Sequence, residues 1–296
     1  MIECNKINSI TMFPNGSIIK CFDNYINNNL YNYNCKMYSC NCNIDIQSIT
    51  KCIFILNNNC NSNCVYCCDN FYKEYINSPL LEFDFEKVRK NLQKFKFIDK
   101  IDFGYYEPLY DVDKFIKIIR YLVNETNIKK YDIFTDGINI SLDFLKELDQ
   151  LGVEINIFVN INFPRSIHNK YKNKDSDNIV NKIKNINYKQ FLNIELIIES
   201  VIFADNIGLE NELILNLNDI SKYVSGISLL YNMFDLEFYK IDYKKILLKA
   251  YSKLKINNCK IEQAISNLRI RKNVAVIKGD YYYREKLNNY KKGVIN

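Results

Sequence analysis

Four cysteines fall within nine positions of this chain, in the segment NNNCNSNCVYCCDNFY at residues 57–72. Cys60, Cys64 and Cys67 have the spacing C-x3-C-x2-C, and Cys68 follows directly. Disulfides, a zinc site or an iron–sulfur cluster would explain cysteines at this density. Each of these brings thiols together in space, so the fold must place this segment where its cysteines can converge.

The distribution of the eleven cysteines favours a metal over disulfides. Ten of them lie at or before Cys68, and only Cys259 lies beyond it. The N-terminal sequence MIECNKINSI lacks the features of a secretory signal, and no apolar run is long enough to span a bilayer. We therefore expect a cytoplasmic protein with no membrane partner, in a reducing compartment where structural disulfides are uncommon.

The positive charge does not indicate nucleic-acid binding. The net charge is +6 and the pI is near 8.6, but the lysines are spread along the chain without a concentrated basic run. No nucleic-acid recognition motif accompanies them. The charge is compatible with an acidic or nucleotide-containing ligand, and we predict no nucleic-acid partner.

The cysteine spacing suits an iron–sulfur cluster better than zinc. Zinc sites usually combine paired C-x2-C units or cysteine with histidine, and the single histidine, His168, is distant in the sequence. Three thiolates on a 4Fe–4S cluster leave one iron open to another ligand. A buried set of cysteines that arose by chance is the alternative.

Hydrophobic periodicity predicts alternating strands and helices. Ser141 is a predicted N-cap and Gly152 a predicted helix stop. The cysteine segment connects the first predicted strand to a helix that begins near Phe83 or Asp84. Strands are predicted at 48–56, 100–110, 131–137, 153–161, 191–203 and 224–233, and helices at 83–95, 111–125 and 141–152. This alternation predicts an α/β fold with a parallel sheet.

With Tyr66 directly before Cys67, the segment resembles the defining motif of the radical S-adenosylmethionine (SAM) superfamily. The resemblance implies a partial (β/α)6 TIM-like barrel and a 4Fe–4S cluster on Cys60, Cys64 and Cys67, with SAM bound to the open iron near Tyr66. In that family an electron from the cluster cleaves SAM to a 5′-deoxyadenosyl radical, which abstracts a hydrogen from the substrate.

A second match to this superfamily is the segment FGYYEPL at residues 103–109. It resembles the F-x-G-G-E-P-L pattern at the end of the second barrel strand, with Tyr105 and Tyr106 in place of the glycines. The resemblance implies that this backbone and Glu107 hold the amino group of SAM. The alternative is that Glu107 only caps a turn before Pro108.

Two further stretches resemble the family. The sequence TDG, which begins at Thr135, is similar to the T-N-G that ends the third strand. Residues 159–172 are similar to the S-I-D-G-P-x3-H-D-x2-R stretch of SPASM-type members, including anaerobic sulfatase-maturing enzymes. This implies contacts to SAM or substrate for Asn160 and Asn162. For His168, a loop histidine that is satisfied by its own neighbours is the alternative to a chemical role.

The first cysteines of the chain resemble a second cluster module. Cys4, Gly16 and Cys21 form the pattern C-x11-G-x4-C, which is similar to the first half of the SPASM/twitch signature. Pro14 and Asn15 precede the glycine in a predicted hairpin turn. The resemblance implies one auxiliary 4Fe–4S cluster, completed by two of three further cysteines, namely Cys35, Cys40 and Cys42. A zinc site built from the same thiols is the alternative.

The remaining cysteines carry no firm assignment. Cys52 lies on the first predicted barrel strand, and we expect it to be a buried small hydrophobe. Cys68 could be the same or could reach the active site. For Cys259 packing is the expectation.

Together these features predict three domains. They are a SPASM/twitch-like module at 1–47, a radical SAM partial barrel at 48–235 and a helical C-terminal extension at 236–296. The predicted function is hydrogen abstraction from a peptide or protein substrate in ribosomal-peptide maturation, by crosslinking, epimerisation or oxidation. Ferredoxin or flavodoxin would donate the electron. The alternatives are a twitch-type small-molecule dehydrogenase or isomerase and a non-catalytic iron–sulfur interaction protein.

Overall fold

The computed structural model describes residues 9–15, 18–19, 49–57, 59–62, 64, 82–104, 106–172 and 176–231. Several predictions fall on residues outside this part and stay predictions. These residues are Cys4, Gly16, Cys21, Cys35, Cys40, Cys42, Tyr66, Cys67, Cys68, Tyr105 and Cys259, together with the extension at 236–296.

The described residues belong to two compact units. The first unit contains six strands, of which only the last residue of the sixth belongs to the second unit. They are β1 (Ser9–Met12), β2 (Ile18–Ile19), β3 (Ile49–Phe54), β4 (Ile98–Phe103), β5 (Lys130–Thr135) and β6 (Glu154–Asn160). The helices between them are α1 (Phe85–Leu92), α2 (Val112–Glu125) and α3 (Leu142–Asp149).

The second unit continues the alternation. Its elements are α4 (Arg165–Lys172), α5 (Ser176–Asn185), β7 (Ile194–Ile202), α6 (Glu210–Ile220) and β8 (Gly226–Tyr231), with the first two residues of β7 in the first unit. β7 and β8 are parallel, with Ile198 opposite Ile227.

The predicted α/β class with a parallel sheet is confirmed. All six strands predicted from periodicity are present as β3 to β8, and the three predicted helices are α1, α2 and α3. The fold is α/β, and its parallel strands are consistent with a partial TIM-like barrel.

Helix caps explain where the first three helices begin. Asp84, Asp111 and Ser141 are the N-caps of α1, α2 and α3, and each side chain accepts a hydrogen bond from a main-chain N–H in the first turn. The predicted stop after α3 is also present, because Gly152 has a φ of 66°, a left-handed value that favours glycine. None of the described helices has both the length and the apolarity needed to cross a membrane.

The N-terminal hairpin is present, and it extends the sheet in a way that the sequence did not predict. β1 is antiparallel to β2, with Thr11 opposite Ile19. β1 is also parallel to β3, with Met12 opposite Phe54, and the N–H of Ile55 donates to the carbonyl of Met12 at 3.1 Å. The predicted boundary at residue 47 therefore separates two strands that pair with each other, and the domain assignment stays a prediction.

One face of the first-unit sheet carries the apolar core. Phe103 is fully buried in the centre of this face. Its ring centroid lies 4.9 Å from that of Phe115 on α2, 5.9 Å from that of Phe54 and 6.3 Å from that of Tyr131. Because aromatic rings bury large areas, this cluster binds α2 to the three strands beneath it.

The opposite face carries a row of polar residues. Asp102, Asp132 and Asn156 lie opposite one another on β4, β5 and β6, and the Asn156 amide donates to Asp132 at 2.8 Å. Lys51 lies 3.1 Å and Lys100 lies 3.3 Å from the carboxylate of Asp102, and Lys100 also pairs with Asp132. Burial raises the pKa of Asp102, and the two lysines oppose this shift. Strand alternation therefore separates an apolar face from an ionic one.

Replacing Phe103 with Ala tests the aromatic cluster. We expect Phe103→Ala to lower the free energy of unfolding by about 3–5 kcal/mol, since it leaves a cavity among buried rings. Urea unfolding followed by circular dichroism measures this. Phe97→Ala is the matched control, because Phe97 is 55% exposed, and it should change stability by no more than ~0.5 kcal/mol. Equal effects of the two substitutions would contradict this account of the core.

Candidate active site at the carboxyl ends of the parallel strands

The cysteine segment leaves the carboxyl end of β3. Cys60 is half-buried, and its Sγ accepts a hydrogen bond from the N–H of Ser62 at 3.4 Å. Cys60 and Cys64 are present as thiols. Cys64 is buried and belongs to the second unit, while Cys67 lies outside the described residues. The structure thus describes two of the three predicted cluster ligands.

Hydrogen bonds connect this segment to Glu107, in the stretch that follows β4. The N–H of Glu107 donates to the carbonyl of Asn59 at 3.1 Å. The amide of Asn57 donates to the carbonyl of Glu107 at 3.0 Å, and its oxygen accepts from the N–H of Asn59 at 2.8 Å. Sequence analysis missed Asn57 and Asn59; their position directly before Cys60 is the signal that could have identified them.

The carboxyl group of Glu107 is the centre of the site in the first unit. Oε1 accepts from the Thr135 hydroxyl at 2.7 Å and from the N–H of Leu109 at 2.9 Å, and Oε2 accepts from the N–H of Asp136 at 2.7 Å. The residue is only 2% exposed. Glu107 therefore caps the short 3-10 turn Pro108–Tyr110, and it also connects this turn to the end of β5.

The residue before Glu107 has an unusual backbone. Tyr106 has a φ of 54°, which is in the left-handed region. Glycine normally occupies this conformation because other side chains are strained there. At this position the F-x-G-G-E-P-L pattern has its second glycine, so this chain keeps the glycine backbone but carries a buried tyrosine.

The sequence TDG, which resembles the T-N-G of the family, forms a turn at the end of β5. Asp136 accepts from the N–H of Ile138 at 3.0 Å through Oδ1 and from the Ser62 hydroxyl at 2.7 Å through Oδ2. Gly137 has a φ of 82°, and its N–H donates to the Thr135 hydroxyl at 3.1 Å. Asp136 and Ser62 were not predicted as site residues, although Ser62 lies within the cysteine segment.

Burial gives Glu107 an unusual acidity. Burial in low-polarity surroundings and, to a smaller extent, the nearby carboxylate of Asp136 together raise the pKa of the Glu107 carboxyl from 4.5 to about 7. The hydrogen bonds from Asp136, Thr135 and Leu109 oppose this shift because they stabilise the ionised form. Glu107 can therefore change its protonation state near neutral pH.

In the second unit, Asn160 is the last residue of β6, and Asn162 belongs to the turn that follows this strand. Oδ1 of the fully buried Asn162 accepts from the N–H of Val201 at 3.0 Å. The amide of Asn160 lies 3.4 Å from Glu199, and the buried ammonium of Lys172 donates to the Asn160 carbonyl at 2.7 Å. These contacts fix the turn, while cofactor binding by the two asparagines stays a prediction.

His168 is fully buried in the same unit. The imidazole Nδ1 accepts a hydrogen bond from the main-chain N–H of Asn162 at 3.1 Å. The main-chain N–H of His168 donates to the carbonyl of Pro164 at 3.2 Å. Asn206 supports the turn from the other side, donating to the Phe163 carbonyl at 2.7 Å. A chemical role for His168 and its alternative, a histidine satisfied by its own neighbours, both stay predictions.

The structure thus groups the predicted residues into two sets. Tyr106, Glu107 and Thr135 lie in the first unit with Cys60, and Asn160 and Asn162 lie with Cys64 in the second. In the first unit the ends of β3, β4 and β5 meet through hydrogen bonds, as expected for a site at the carboxyl edge of a parallel sheet.

The sequence profile of the radical SAM superfamily matches residues 54–202, which is half of the chain. No curated protein sequence matches the chain.

The chain is similar to several solved structures. The structure of native anSMEcpe with bound AdoMet is 18% identical, with 63% of this chain and 51% of that chain covered and a TM-score of 0.51. The structure of Streptococcus suis SuiB bound to S-adenosylmethionine is 12% identical, with 68% of this chain and 46% of that chain covered and a TM-score of 0.52. The structure of SuiB bound to its precursor peptide SuiA is 13% identical, with 74% of this chain and 51% of that chain covered and a TM-score of 0.49. The chain spans about half the length of these proteins.

The raised pKa of Glu107 predicts a pH-dependent stability that Glu107→Gln removes. The folded state holds a proton that the unfolded chain releases above pH 4.5, so this stabilisation is present below pH 4.5 and is lost as the pH rises through about 7. A shift of this size corresponds to on the order of 3 kcal/mol.

Urea unfolding of the metal-free wild type and of Glu107→Gln between pH 4.5 and 8 measures this contribution. We expect the free energy of unfolding of the wild type to fall relative to that of the variant across this interval. Parallel pH profiles for the two proteins would contradict the raised pKa.

Proposed function

We propose, from the premise that this chain belongs to the radical SAM superfamily, that it cleaves SAM reductively and abstracts hydrogen from a peptide substrate. Membership of the superfamily implies a 4Fe–4S cluster and SAM. The observation that carries the proposal is the hydrogen-bonded junction of the Cys60 segment with Glu107 and the end of β5.

The residues present fit the implied cluster. Cys60 and Cys64 are thiols at the required spacing, and Cys67 supplies the third in the sequence. The N–H of Ser62 donates to Sγ of Cys60, and hydrogen bonds to sulfur are among the features that set cluster potentials. When bound, the cluster and SAM supply a 5′-deoxyadenosyl radical for hydrogen abstraction.

The residues around the cysteine segment hold and orient the cofactors in this proposal. The backbone near Tyr106 and the Glu107 carboxyl would bind the amino group of SAM. Tyr66, Tyr105, Thr135, Asn160 and Asn162 would supply further contacts to the cofactor. Glu107 must be ionised to accept an ammonium group, and its pKa of about 7 makes it responsive to the arrival of a positive charge.

An auxiliary cluster on the N-terminal cysteines is also part of the proposal. Cys4 precedes and Cys21 follows the hairpin of β1 and β2 in the sequence. The hairpin with its turn at Pro14 and Asn15 supports the resemblance to the SPASM/twitch module. In this scheme Cys4 and Cys21 are joined by two of the three cysteines that follow, Cys35, Cys40 and Cys42.

A peptide is the substrate class that we propose. The similarity of residues 159–172 to SPASM-type members supports it, since those members mostly act on peptides or proteins. SuiB, which shares the fold in its SAM-bound structure, is also known in complex with its precursor peptide SuiA. A ferredoxin or flavodoxin would supply the electron.

Substitution of the cysteines tests the cluster assignment. We expect Cys60→Ser, Cys64→Ser and Cys67→Ser each to lose most of the iron bound by this segment and to abolish formation of 5′-deoxyadenosine under dithionite. Cys52→Ala is the matched control, because Cys52 is fully buried on β3 and burial raises the pKa of its thiol. Iron analysis and chromatography of the nucleoside measure these outcomes. Iron loss in the control as large as in the three variants would contradict the assignment.

Incubation with peptides tests the substrate class. The reconstituted full-length protein, SAM, a reductant and a peptide encoded beside its gene should give a peptide of altered mass. Boiled enzyme and Cys60→Ser are the controls. If 5′-deoxyadenosine forms while no peptide changes mass in tandem mass spectrometry, the peptide proposal is wrong and the small-molecule alternative gains support.

A further inference from the structure

Ser62 contacts both a predicted cluster ligand and the end of a neighbouring strand. Its N–H donates to Sγ of Cys60 at 3.4 Å, and its hydroxyl donates to Oδ2 of Asp136 at 2.7 Å. The second bond joins residues that are 74 positions apart in the sequence. A single residue therefore links the thiol to the turn after β5.

The link is shielded from water. Ser62 is 4% exposed and Asp136 is 7% exposed. A hydrogen bond to a charged group in such surroundings is stronger than one at the surface, and a buried polar group that loses its partner is costly. The contact between these two side chains is therefore expected to hold the loop in one position.

Asp136 is itself held in place. Its Oδ1 accepts from the N–H of Ile138, and its own N–H donates to Glu107. The Thr135 hydroxyl donates to the same glutamate. Ser62 is thus connected to the carboxyl edge of the sheet through hydrogen bonds to Asp136 and from Asp136 to Glu107.

We propose that Ser62 and Asp136 are positioning residues that hold the Cys60 loop and set the reduction potential of the cluster. This inference rests on the proposed function, since it requires a cluster on Cys60. The Ser62–Asp136 hydrogen bond restrains the loop that carries Cys60. The Asp136 carboxylate also places a negative charge near the Cys60 thiol, because Ser62 bonds to both residues. A nearby negative charge disfavours the addition of an electron, so it lowers the potential.

Two substitutions separate the bond from the charge. Ser62→Ala removes the side-chain bond and leaves the carboxylate in place. Asp136→Asn removes the charge but keeps the bond, because a serine hydroxyl can also accept from the amide group. Ser62→Thr keeps the hydroxyl and is the conservative rescue.

Matched controls exist elsewhere in the first unit. Ser141 caps α3 by accepting from the N–H of Phe144 at 3.2 Å, so Ser141→Ala deletes a comparable hydroxyl whose partner is a helix N–H. Asp149 accepts from the N–H groups of Leu192 and Asn193 at 3.0 Å and 2.8 Å, so Asp149→Asn makes the same chemical change in another acceptor.

The experiment uses the full chain, reconstituted with iron and sulfide without SAM. Redox titration followed by electron paramagnetic resonance gives the potential, and a chelator assay gives the rate of iron release. We expect Asp136→Asn to shift the potential to less negative values. We expect Ser62→Ala to release iron roughly fivefold to tenfold faster, the factor for losing about one buried hydrogen bond, and Ser62→Thr to restore the slow rate.

The outcomes distinguish this inference from the proposed function. If the wild type binds a cluster but Asp136→Asn and Ser62→Ala behave like the controls in both measurements, the positioning role is wrong while the proposed function stands. If the controls move the potential as much as the two variants, the effect is one of general stability and the inference is also wrong. If the wild type binds no cluster, both proposals fail.

Discussion

The buried carboxyl of Glu107 is the contact on which the candidate site depends. It accepts hydrogen bonds from Thr135, from the N–H of Leu109 and from the N–H of Asp136. The main chain of the same residue donates to Asn59 in the cysteine segment. One residue therefore joins the segments that follow β3, β4 and β5. Burial of the ionised carboxyl is unfavourable in free energy, and this raises its pKa. The three hydrogen-bond donors offset part of that free-energy cost.

The two faces of the first-unit sheet fix the positions of the strand ends by different interactions. The apolar face packs Phe103 against Phe115 and fixes α2 over the strands. The opposite face pairs Asp102 and Asp132 with lysines. Buried charges are tolerated only when they are paired, so the register of β4 with β5 is specified by ion pairs as well as by packing. A sheet whose register is fixed on both faces presents its strand ends at defined positions.

Local signals in the sequence predicted much of this fold, whereas long-range pairing was missed. Strand and helix periodicity, the Ser141 cap and the TDG turn are local, and all are present in the structure. The pairing of β1 with β3 and the bond between Ser62 and Asp136 join residues that are far apart in the sequence. A serine inside a cysteine segment has no pattern that reveals its partner. The family resemblance located Glu107, but only the structure showed which donors surround it.

The central claim is that three thiolates hold a cluster whose remaining iron is open to SAM. Electron paramagnetic resonance of the dithionite-reduced, anaerobically reconstituted chain, recorded with and without SAM, tests it most directly. The account predicts a reduced-cluster signal whose g-values and line shape change when SAM is added, because the cofactor becomes a ligand of the open iron. An unchanged signal, or a protein that retains zinc in place of iron in this segment, would contradict it.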